Sequence, residues 1–237
     1  MKKCIYFLAS LLIFGSSLRA QIEYNYSCGT TKVLNELFKE YPEGKQVLNQ
    51  LEIFTQEFLS HPNNGARADA QYIIPVVVHV IHPADDQLLN YEQIDDGIQR
   101  INDDFNAQNA DLEFVVDEFT DLIGDIGIEF RLATKDPEGN CTYGVNRFSS
   151  DLSKMVSTAG DNVSTVMNLA SWDPKKYLNI WVVKEFIQLG PGGGETLAFA
   201  YPPGSHPIMD GIFCRYDYFG TMLGEDEGLH TLGHEMG

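Results

Sequence analysis

A histidine and a glutamate stand side by side at His234 and Glu235, followed by Met236 and Gly237. A histidine at the next place would complete H-E-x-x-H. Residues four apart share one face of a helix, so two such imidazoles reach one zinc ion. The glutamate beside the first is then placed to take a proton from the attacking water. Only the front half of the pattern lies within the 237 residues, so the sequence is expected to break off inside the active-site helix. His234 would be a metal ligand and Glu235 the catalytic base, with the further zinc ligands beyond residue 237. One imidazole does not hold a catalytic zinc, which takes three protein ligands, and these residues alone are expected to be inert. His230 also stands four residues before His234, but no glutamate lies between them as the helix-borne arrangements require.

The other reactive side chains give weaker signals. His79 and His82 are three apart on a predicted strand, so they point to opposite faces and share no metal there. His79 suits a hydrogen-bonded core position. The run Gly192–Gly194 lacks the lysine of a phosphate-binding loop and reads as a flexible connection. Acidic residues outnumber basic ones 34 to 16, a net charge of −18 that phosphate backbones and anionic membrane surfaces would repel. Nucleic acid is therefore not an expected partner. Such acidity is compatible with calcium sites built from carboxylates, although no complete D-x-[DN]-x-[DN]-G loop occurs.

Several elements must position these residues. Val47, Leu51, Phe54 and Phe58 repeat at helical spacing within a helical segment over 31–60, broken at Pro42 to Gly44. The breaker cluster from His61 to Ala66 reads as a linker. Ile73 to Ile81 is a nearly continuous β-branched run that suits a buried strand. Ile94, Ile98, Ile101 and Phe105 make the stripe of a helix over 91–105. Further strands are expected at 127–133, 177–183, 197–201 and 211–218, with a short helix over 161–170 and another opening at Glu225. Strands interleaved with helices predict an α/β fold with a mostly parallel sheet.

The amino terminus has the pattern of a secretory signal. Lys2 and Lys3 precede an apolar run from Ile5 to Phe14, and small residues lead to a cleavage site after Ala20. The run is too short for a membrane span, so a secreted product with no membrane association is expected. Loss of residues 1–20 removes Lys2, Lys3 and Arg19 and no acid, which takes the charge from −18 to −21. The expected organisation is a signal peptide over 1–20, a helical pro-segment over 21–70 and the front part of a catalytic domain over 71–237. Cys28, Cys141 and Cys214 remain after cleavage. Cys141 and Cys214 each lie in or after a predicted sheet element of one domain, and a disulfide between them is expected in an oxidising compartment. A downstream cysteine could claim either one instead.

Several blocks in order carry a family resemblance. They are Ile74 to Val80, Arg100 to Phe105, Ile128 to Gly139, Gly144 to Arg147, Tyr177 to Val182, Asp210 to Asp217 and Thr231 to Gly237. Over about two-thirds of its length the chain resembles the pappalysin-type metalloproteases, metzincins of the pregnancy-associated plasma protein A family, in the style of bacterial secreted members. The resemblance implies a zincin-like catalytic domain: a twisted, mostly parallel sheet with two main helices. It implies a secreted zinc endopeptidase acting on protein or peptide substrates. It also implies that Cys28 keeps the precursor latent by placing its thiolate on the zinc. An unpaired or intermolecularly bridged Cys28 in a simple spacer is the other reading. The alternative for the whole chain is a non-catalytic secreted module, or a dead paralogue, that keeps the fold without the site.

Overall fold

The computed structural model describes residues 34–35, 37–39, 41–61, 72–156, 160–187, 196–204, 210–221 and 230–237. Cys28 and the stretches 62–71 and 222–229 lie outside them. Strand β1 (Tyr72–His82) is the β-branched run of the sequence, and Val76 to Ile81 are fully buried. Burial on both faces explains why its residues do not alternate with polar ones. Helix α1 (Pro42–Ser60) precedes it, and helix α2 (Tyr91–Phe105) follows. Asn90 caps α2: its side chain accepts from the Gln93 amide while the Gln93 side chain accepts from the Asn90 amide, a reciprocal box. Ile94, Ile98 and Ile101 are its buried stripe.

Then come β2 (Ile128–Leu132), β3 (Val145–Ser149), β4 (Lys154–Val156), helix α3 (Gly160–Leu169), β5 (Leu178–Val183), β6 (Glu185–Ile187), β7 (Ala198–Tyr201), β8 (Gly211–Arg215) and helix α4 (Thr231–Met236). The main sheet runs β2-β1-β5-β8-β7, with β3 on the same side of β1 as β2. Its pairs are parallel except β7 with β8, and β4 and β6 form a separate parallel pair. Strand alternation divides the core. Val76, Val78, Val80, Ile180, Val182, Ile212 and Cys214 face α2 and α4. Ile81, Trp181, Val183, Phe199 and Phe213 face the opposite way, against α3 and residues 34–41. There Trp181, Phe213 and Phe199 form a stacked column at centroid spacings of 4.8 and 5.0 Å.

The expected parallel sheet with few helices is present. Strand β3 and the β4–β6 pair are additions, and residues 110–122, unassigned from sequence, form two 3-10 turns. The helical segment ahead of the sheet is interrupted as expected: residues 34–35 and 37–39 are helical, Tyr41 is not, and Pro42 opens α1, as a first-turn proline can. The α1 stripe is not core: Val47, Leu51, Phe54 and Phe58 are 40–63% exposed.

Candidate active-site helix

Helix α4 packs on α2, β7 and β8. Leu232 anchors it in the core at 3% exposure, while His234 is exposed and Glu235 is half-buried. The His234 amide donates to the His230 carbonyl at 2.8 Å and closes the turn that carries both residues. Helix α2 holds the approach to α4 at two places eight residues apart. Asp96 accepts from the Thr221 amide at 2.8 Å and from its hydroxyl at 2.7 Å. Phe219 packs flush on Gly97, where a side chain would strike the ring. At the other end, His230 Nδ1 lies 2.9 Å from Asp104, and its Nε2 lies 3.2 Å from Asp111. Both ring nitrogens of His230 thus face carboxylates, Asp104 and Asp111. Sequence reasoning missed Asp96 and Asp104; two acids flanking the apolar stripe of α2 were the available signal.

Zinc takes imidazole nitrogen readily, so His234 suits it as one donor. Among the described residues, no three histidine, cysteine or acidic side chains come together to hold a metal ion. Glu235 is adjacent to His234 on the same helix.

The expected Cys141–Cys214 disulfide is not formed; both thiols are free. Cys141 is exposed, in an antiparallel bridge with Lys135 just beyond β2. Cys214 is fully buried in β8, three strands in from β2. At strand spacing that is about 14 Å, twice what a disulfide spans. Its thiol donates to the Arg215 carbonyl at 3.3 Å. Burial pushes its pKa strongly upward, and the negative charge of Glu235 adds to the effect. That thiol is a packing group, not a nucleophile.

His79 is buried completely on the face away from α4. Its Nε2 lies 2.9 Å from Asn179 Oδ1 and its Nδ1 lies 3.4 Å from Asn146 Nδ2. Asn179 Oδ1 also accepts from the Trp172 amide, while its NH2 donates to the Trp172 carbonyl. An oxygen can only accept, so Nε2 carries the proton and Nδ1 accepts from Asn146. Desolvation lowers the His79 pKa to about 4, opposed by the bond to Asn179.

No protein-family profile matches the sequence, and no curated protein does. Solved structures do. Mirolysin bound to a small compound is 35% identical with a TM-score of 0.58, covering 70% of this chain. Mature mirolysin of Tannerella forsythia with a cleaved peptide is 34% identical, TM-score 0.54, over 64% of this chain. A glutamate-to-alanine mutant of promirolysin from the same organism is 29% identical, TM-score 0.63, over 82%. The chain spans 62%, 55% and 61% of those three chains. At the coarse level these neighbours are metzincin-type metalloproteases, and the mixed α/β architecture of this chain, with its mostly parallel sheet and few helices, matches their fold.

Proposed function

We propose that the chain is the front part of a secreted zinc endopeptidase of pappalysin type, made as a precursor. One observation carries this reading: the adjacent His234 and Glu235 sit on a helix packed against the last strands of a sheet that resembles that of mirolysin. In this reading His234 is one zinc ligand, and the other ligands come from residues following Gly237. Zinc, when bound, supplies Lewis acidity toward the scissile carbonyl. Glu235 takes a proton from the attacking water.

Peptide substrates are supported from two sides. A mirolysin structure contains a cleaved peptide. In this chain β7 is the outer strand of the sheet next to α4. The Arg215 amide donates to the Leu197 carbonyl at 2.9 Å, so by antiparallel alternation Phe199 also turns its backbone groups to β8. The groups of Ala198 and Ala200 then point outward, and among the described residues no strand pairs with them. An extended peptide can add there as a further strand.

The match to promirolysin extends over more of this chain than either match to mirolysin, 82% against 70% and 64%. That supports a pro-segment, which we place over 21–70; Cys28 is either its latency residue or an unpaired or intermolecularly bridged cysteine in a spacer. Among the described residues no helix is long and apolar enough to cross a membrane. The test uses the full-length protein: peptidase activity should vanish on chelation and return with zinc. Activity that survives exhaustive chelation would reject the reading, and a protein that neither binds zinc nor cleaves peptides would be a non-catalytic module.

A further inference from the structure

We infer that Asp104 is the positioning residue of the His234–Glu235 helix, acting through His230 and against Gly233. This inference rests on the functional reading above. The Asp104 carboxylate is mostly buried, at 15% exposure, where α2 meets α4. Its two oxygens have separate tasks. Oδ1 holds His230 Nδ1 at 2.9 Å, and His230 is the residue whose carbonyl closes the turn bearing His234. Oδ2 lies flush against Gly233, the residue directly before His234: a Cβ built there would come within 2.5 Å of it. One carboxylate therefore fixes both the start of α4 and its rotation about its own axis.

The consequence for His234 and Glu235 is geometric. A helical residue turns about 100° from its predecessor, so a rotation at Gly233 swings both side chains together. A Cβ at 233 must displace either the carboxylate or the helix. His230 keeps α4 from simply rolling away, because its Nε2 is also held, 3.2 Å from Asp111 in the 3-10 turn after α2. Leu232 fixes the buried side of the same turn. The aim of the first zinc ligand is thus set by a residue 130 positions earlier in the sequence that touches neither metal nor substrate.

The test is a double-mutant cycle in the full-length protein, with zinc affinity by chelator competition and the melting temperature of the zinc-free protein as separate readouts. Gly233→Ala should weaken zinc by about tenfold or more, the range for residues that orient a metal ligand. An Asp104→Ala background removes the two nearest atoms and leaves the residue 104 Cβ at 3.6 Å, an ordinary contact. There Gly233→Ala should leave zinc affinity nearly unchanged and raise the melting temperature slightly, alanine being the better helix former. Asp104→Asn keeps an acceptor for His230 and should restore most of the affinity lost in Asp104→Ala. Additive effects of the two alanine substitutions on both readouts would overturn the inference, as would an Asp104→Asn variant no better than Asp104→Ala. A full-length protein that holds no zinc would contradict the functional reading instead, and coupling in the melting temperature alone would then decide whether Asp104 sets the helix.

Discussion

Acid should weaken this fold through one buried ring. His79 has a pKa of about 4 in the folded protein against an ordinary 6.5, chiefly because burial disfavours its charged form. A group with a lowered folded pKa binds its proton first in the unfolded chain. Stability is therefore flat above the unfolded value, falls as pH drops through 6.5, and levels off near 4. A difference of about 2.5 pKa units at 1.36 kcal/mol each gives a loss of about 3 kcal/mol across that window. That is a large share of the roughly 5–15 kcal/mol that holds a domain together. Trp181 provides the probe, since its ring stacks on His79 at 5.8 Å. Urea unfolding followed by tryptophan fluorescence at pH 7.5, 6.5, 5.5 and 4.5 would be compared with a His79→Gln variant, which cannot titrate. Carboxylates contribute equally to both proteins and cancel in the difference. The gap between the two curves should shrink or reverse by about 3 kcal/mol between neutral pH and pH 4. Parallel curves would refute the buried neutral imidazole.

Two further expectations follow from single side chains. The Asn102 side chain donates to the Phe130 carbonyl at 2.9 Å and accepts from its amide at 2.7 Å, so α2 closes the outer edge of β2. Asn102→Ala should cost about 2 kcal/mol for two lost bonds and speed hydrogen exchange at the Phe130 amide; an unchanged exchange rate would show that the edge is closed by something else. Cys141 should react with iodoacetamide in the native protein and Cys214 only after unfolding, and a Cys141–Cys214 peptide under non-reducing conditions would contradict the strand order.

Much of the sheet was legible because burial leaves a strong pattern. The β-branched run of β1 and the isoleucine stripe of α2 are each read correctly to within a residue or so. Strand β3 was not: Val145, Asn146, Arg147, Phe148 and Ser149 mix polar and apolar residues on a strand that is nowhere fully buried. Arg147 shows why a charge sits there, since its guanidinium donates to the carbonyls of Gln87 and Leu89 and ties down the chain ahead of α2. The α1 stripe shows the opposite limit, because periodicity reports one apolar face but not what covers it. The disulfide expectation failed for a related reason. Compartment and cysteine count say nothing of strand order, which puts β8 three positions from β2. At the candidate site, His234 and Glu235 were legible by type and spacing. Their support was not, because His230, Asp104 and Gly233 meet only when α2 and α4 pack together.

The most direct measurement is zinc content per chain, after dialysis, in three forms of the full-length protein. The expected result is one zinc in the wild type, one zinc without peptide hydrolysis in Glu235→Ala, and none in His234→Ala. Stoichiometric zinc retained by His234→Ala, or hydrolysis retained by Glu235→Ala, would contradict it.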